Sequence, residues 1–212
     1  MKAWSAAEQM IVCMSRTLAN GDSIGLGIGS AFPAAAAALA AHTHAPELYM
    51  YLPGSGCYCM RVAQTRMSVL EWMTVPAALR QAELAEVLTE GLHTQHKVFL
   101  RPAQIDPYGN SNNTVIGSYE APKIRLPGAA GIPDVTAVYD ELLFYVPRHG
   151  VQTFVPRVDF VSALGVFPAD PHERRQTGVL GHGPGRLISD LGIFRFSISG
   201  LEVVTLHDGV TF

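Results

Sequence analysis

The sequence is short of the features that most readily declare a function. Its 212 residues include only three cysteines, too few for a disulfide-built scaffold. Cys57 and Cys59 are too close in sequence to bridge easily, so these two and Cys13 are read as reduced thiols of a cytoplasmic protein. Charge is also sparse: 15 Lys+Arg stand against 18 Asp+Glu, a net charge of −3. The basic residues form no stripe that could meet a phosphate backbone, so no nucleic-acid partner is expected. Long apolar runs are missing as well. The longest, "AFPAAAAALAA" at 31–41, is too short and too rich in alanine to cross a bilayer, and "MKAWSAAEQM" lacks the basic start and apolar core of a secretory signal. No membrane partner is expected.

Several catalytic motifs are absent too. Ser55 in "PGSGC" has glycine on both sides but not in the frame of a nucleophile elbow. His42 with His44, His93 with His96, and His172 with His182 all lack the helical spacing of a zinc site. Cys57 and Cys59 lack a second pair, so no metal site is expected. What the sequence does have is hydrophobic residues, 48 % of the total, enough for a sizeable core in a single domain over 1–212.

Helix and strand signals alternate in the first half. Ser5 and Glu8 form a capping box ahead of "MIVCMSRTLANG", which stops at Asn20-Gly21. "DSIGLGIGS" reads as a strand dissolving into glycines, and Ser30 then caps the Ala-rich helix. "LYMYL" is a strand ending in the turn Pro53-Gly54-Ser55-Gly56. "VPAALRQAELAEVLTEG" reads as a helix from Pro76 to Gly91, and "KVFLR" as the next strand. Further strands are expected at "ELLFYV", "RVDFV", "RLISD", "IFRFSI" and "LEVVTL", which extend the sheet or return antiparallel. The pattern is that of an α/β protein with a parallel sheet.

Two stretches could carry chemistry. Gly25–Ser30 places Gly27 and Gly29 between a strand and a helix N-terminus. There they serve either as a tight turn or as a contact for an acyl or phosphate group; neither a complete dinucleotide fingerprint nor a P-loop lysine accompanies them. "AQIDPYGNSNNTVIG" at 103–117 holds more amide and hydroxyl groups than a connection requires. Gln104, at the end of a strand, could donate to a developing oxyanion, or could simply brace the loop.

The segment "AQIDPYGNSNNTVIGSYEAPKIRLPGAAG" resembles the core signature of the B subunit of glutaconate CoA-transferase and its relatives among the family I CoA-transferases. "VDFVSALGVF", "GPGRLISDLGIFRF" and "LHDGVT" are similar to that family's later landmarks, in the same order. The resemblance implies an open, mainly parallel sheet with helices on both faces, of the NagB/RpiA-like CoA-transferase type. It also implies an A-type (alpha) partner subunit, with the active site at the subunit interface. Coenzyme A would enter as part of an acyl-CoA substrate, with no permanently bound cofactor. Gly27, Gly29, Gly54, Ser55, Gly56 and Asn110 would contact substrate, and Gln104 would match the family's glutamine.

In the family, a B-chain glutamate attacks the thioester and becomes a glutamyl-CoA adduct. Counted from Ala45-Pro46, that position is Pro53 here, so no nucleophile is identified on this chain. The glycine pair before Ala-Gln is Arg101-Pro102. A branch of steroid-degrading enzymes also lacks this glutamate, opens a ring of a CoA thioester hydrolytically, and carries its key acid on the A chain. The resemblance therefore implies a beta-type subunit of a hydrolytic or C–C-cleaving complex. The alternatives are a catalytically inactive acyl-CoA-binding or structural subunit, and a transferase using another carboxylate such as Glu71 or Glu120.

Overall fold

The computed structural model describes residues 4–27, 29–52, 57–62, 78–89, 97–139, 141–166, 176, 178–179 and 181–211. The chain divides into two compact units, 1–99 and 100–212.

The first unit opens with α1 (Ala6–Ser15). Ser5 accepts from the Glu8 amide, and the Glu8 carboxylate reaches back to the Ser5 amide, so the expected capping box is formed. Strand β1 (Ser23–Gly25) follows, then α2 (Ala31–Thr43) and β2 (Tyr49–Leu52). Ser30 occupies the N-cap of α2 without a side-chain hydrogen bond to the helix. The small alanines let α1 and α2 pack closely: Ala36, Ala37 and Ala40 are fully buried, as are Met10 and Met14.

Strand β3 (Cys57–Arg61) returns antiparallel to β2, and β4 (Arg80–Gln81) pairs with β3. Among the described residues of the stretch expected to be a helix from Pro76 to Gly91, Leu84–Thr89 is helical (α3). Arg80 and Gln81 instead find backbone partners on β3, a case of strand pairing overriding local helix propensity. Strand β5 (Lys97–Leu100) lies parallel to β1. Lys97 Nζ, largely buried, sits 2.8 Å from Asp22 and ties β5 to the loop after α1.

The second unit begins with two short antiparallel pairs. One is β6 (Gln104–Ile105) with β7 (Ser111–Asn112); the other is β8 (Val115–Gly117) with β9 (Pro122–Arg125). Helix α4 (Ile132–Val138) then leads to β10 (Glu141–Val146), β11 (Pro184–Ser189), β12 (Gly192–Ser197) and β13 (Gly200–Leu206).

Strands β10 and β11 are parallel, and β12 and β13 return antiparallel. Leu142 to Val146 are all buried, as expected of a strand covered on both faces, whereas β13 is exposed at 203–205. The segment "RVDFV" forms no strand; its Asp159 amide donates instead to Gln104 of the β6–β7 hairpin described below. The architecture is α/β, as the alternating pattern predicts.

Candidate functional site

The polar signature at 103–117 folds inward onto itself. Asn112 is fully buried with all its amide groups satisfied. Its Nδ2 donates to Gln104 Oε1 at 2.7 Å and to the Val115 carbonyl at 2.6 Å, and its Oδ1 accepts from the amides of Thr114 and Val115. Gln104, also buried, donates from Nε2 to Asp159 at 3.0 Å and accepts the Asp159 amide on Oε1 at 3.1 Å. Asp106 accepts three hydrogen bonds, from the amides of Tyr108 and Asn110 and from Asn110 Nδ2. Asn110 Oδ1 then accepts the amide of Gly165 at 2.9 Å. Ser162 bonds the Asn113 amide and the Thr114 hydroxyl.

This network explains the irregular course of 154–165. Its backbone is held by hairpin side chains at Asp159 and Gly165 and by main-chain bonds at Val155, Ser162 and Ala163, with isolated bridges at Ile105–Phe154 and Ser111–Ala163. Asp159 is exposed, yet its carboxyl is held below the usual aspartate range. The Gly117 amide contributes most, followed by Gln104, with a smaller pull from Lys123.

Two glycines permit the close packing. Gly109 has φ +79°, and a Cβ there would lie 2.6 Å from Pro184. A Cβ on Gly165 would run into the Tyr108 carbonyl and the Asn110 amide.

The other residues singled out in the sequence fall as follows. Gly27 is exposed with room for a side chain, and Gly29 is exposed at φ +73°, so only Gly29 needs the conformational freedom of glycine. Both belong to the first unit; in the second, Gln104 is bonded to Asn112 and Asp159, and Asn110 to Asp106 and Gly165. Pro53, Gly54, Ser55, Gly56 and Glu71 lie outside the described residues, and Glu120 is exposed in the β8–β9 turn. His44 is satisfied by the Leu18 carbonyl and the Thr43 hydroxyl. Cys13 is a free thiol whose ionisation burial pushes up; the side chains of Cys57 and Cys59 lie outside the described residues.

Within the second unit a cleft of about 880 Å³ is bordered by Arg101–Ala103, Asn113, Pro127–Gly128 and Val146–Thr153. Ala103 is on its wall; Gln104 is not. Sequence reasoning missed the cleft's best-organised residue, His149, which follows the carboxyl end of β10. Its ring stacks on Phe154 with centroids 3.9 Å apart, its amide donates to Asp190 at 2.7 Å, and its Nδ1 lies 3.1 Å from Ser189 Oγ. Burial holds the imidazole below its ordinary pKa, partly countered by Asp190.

Ser189 and Leu191 are fixed in turn by His207, whose Nε2 meets the Ser189 carbonyl at 2.8 Å and whose amide donates to the Leu191 carbonyl. "RLISDLG" and "LHDGVT" thus converge behind one imidazole. Its position in "VPRHG", directly after an apolar strand, is the signal that could have found it.

Comparison with known proteins places the fold in a family. The model of the family described as Coenzyme A transferase matches residues 7–211. The chain belongs to that family. It is 34 % identical over 225 residues to the B subunit of 3-oxoadipate CoA-transferase from Pseudomonas knackmussii, covering 100 % of this chain and 81 % of that protein. Over 110 residues it is 33 % identical to the cholesterol ring-cleaving hydrolase IpdB subunit of Mycobacterium bovis, covering 51 % of this chain and 42 % of that protein. The crystal structure of glutaconate coenzyme A-transferase from Acidaminococcus fermentans superposes with a TM-score of 0.81 at 23 % identity, over 99 % of this chain and 82 % of that one. The coenzyme A transferase fold and the likeness to B subunits are therefore established for this chain, and its relatives include subunits of both transferases and a hydrolase.

Proposed function

We propose that the chain is the beta-type subunit of a heteromeric enzyme that cleaves an acyl-CoA thioester or a C–C bond activated by it, with the working carboxylate on an A-type partner. The observation that carries this reading is Pro53, which stands where the family resemblance places the glutamate and has no nucleophilic atom. The acids around the polar signature do not replace it. Asp106 is saturated by hydrogen bonds, and Asp159 is engaged by Gly117 and Gln104. The likeness to a ring-cleaving hydrolase subunit supports chemistry other than transfer. Coenzyme A is part of the substrate in this reading, and no resident cofactor is required. The inward commitment of Gln104 supports a second reading, an acyl-CoA-binding subunit without a catalytic group.

The test is borohydride trapping followed by intact-mass measurement, after the complex with an A-type partner has been incubated with acyl-CoA. The expected outcome is turnover by the complex, none by the chain alone, and no glutamyl adduct on this chain. An adduct mapped to Glu71 or Glu120 would instead make the protein a transferase. A complex that assembles and binds acyl-CoA but turns over none would favour the acyl-CoA-binding role.

A further inference from the structure

The cleft holding His149 has an unbalanced charge. Arg101 and Arg148 both border it, both are exposed, and neither is paired with any described residue. Other basic residues do find acids: Lys97 pairs with Asp22 and Arg195 with Glu202. The described lining contains no carboxylate. The acid tied to it, Asp190, already accepts the His149 amide on Oδ1. Two uncommitted guanidiniums on one concave surface are suited to oxyanions, because each presents a planar fork of donors. At about 880 Å³ the cleft lies within the range of small-molecule sites.

We propose that this cleft is an anion subsite of the acyl-CoA site, where Arg101 and Arg148 hold a phosphate of the coenzyme A moiety or a carboxylate on the acyl chain, and His149 lies against the bound group. The proposal rests on the reading above and deepens it. Arg101 replaces part of a glycine pair expected from the family, so a position that would let backbone approach the thioester supplies a charge instead. The imidazole is held by Ser189 and Phe154, which leaves Nε2 without a partner among the described residues. The charged groups around it are Asp190 from the β11–β12 turn, Arg148 beside it in sequence, and Arg101 on the same lining.

The experiment is calorimetric titration of the purified full chain with coenzyme A, 3′-dephospho-coenzyme A and glutarate, at low and high salt. The variants are Arg101→Gln, Arg148→Gln and, as a control outside the cleft, Arg125→Gln. Saturable binding of at least one probe is expected. It should weaken at least about tenfold in either cleft variant, as the loss of a charge-assisted hydrogen bond implies, while Arg125→Gln leaves it unchanged. Binding should also weaken with salt, and the NMR titration of His149 should move to higher pH in the bound state.

Loss of affinity for 3′-dephospho-coenzyme A relative to coenzyme A identifies the 3′-phosphate as the anion. Glutarate binding that depends on the two arginines identifies an acyl carboxylate. Unchanged affinity in both arginine variants, or no saturable binding of any probe, overturns the proposal. If the assembled complex turns over normally with both arginines replaced, the subsite falls and the enzymatic reading stands. If the arginines prove necessary for anion binding but the complex cleaves no thioester, the subsite stands and the enzymatic reading falls.

Discussion

Asn112 shows what a single side chain does here. Fully buried, it closes the hairpin and bonds to Gln104 and Val115, so its removal leaves several polar groups without partners. Asn112→Ala should therefore cost about 2–4 kcal/mol in a urea titration. Gln104→Ala separates two roles. With both Oε1 contacts and one Nε2 hydrogen already committed, the expected result is a lower melting temperature and a near-normal kcat in the complex. Unchanged stability with kcat reduced about a hundredfold would instead make Gln104 an oxyanion donor. His149 gives a pH signature. Its folded pKa lies below the unfolded value of about 6.5, so its contribution to stability is complete above that pH and is lost as pH falls toward the folded value. The melting temperature should decline as pH falls below about 6.5, and His149→Gln should flatten that decline. Asp159 adds a separate loss only in stronger acid, because its folded pKa lies below an already acidic unfolded one.

At the scale of elements, the sequence revealed those whose partners are local and concealed those whose partners are distant. The capping box of α1 and the apolar run of β10 were legible because Ser5 with Glu8, and five successive buried residues, state their own requirement. "RVDFV" reads as a strand by its alternation, yet Asp159 and Ser162 serve the hairpin and no ladder forms. Helix α4 was missed, although Pro133 near its start and Asp134 in its first turn are ordinary helix-start signals. The site was legible only in part. The polar signature is conspicuous in composition, whereas Arg148 and His149 matter only because β10 delivers them to a cleft shared with Arg101. Gly165 illustrates a constraint invisible in sequence: the segment it belongs to passes against the backbone of Tyr108–Asn110. Gly165→Ala should destabilise the chain by about 2–3 kcal/mol, measurable by thermal unfolding, since the obstacle is main chain and cannot rotate away.

For the whole molecule, membership of the coenzyme A transferase family and the likeness to B subunits imply an A-type partner subunit. The polar hairpin of the second unit also bears on how the molecule behaves in time. The amides of Tyr108, Asn110, Asn113, Thr114, Gly117 and Gly165 donate to side-chain oxygens rather than to a strand ladder. Such amides exchange with solvent only when the acceptor side chains let go, and those side chains form two linked sets, Asp106 with Asn110, and Gln104 with Asn112 and Asp159. In deuterated water, the amides of Tyr108, Asn110 and Gly165 should therefore exchange slowly as one group and those of Thr114, Val115 and Gly117 as another, despite lying in or beside strands of two and three residues. Asn112→Ala should speed exchange throughout the second group, while the first group and the amides of β10 keep their protection.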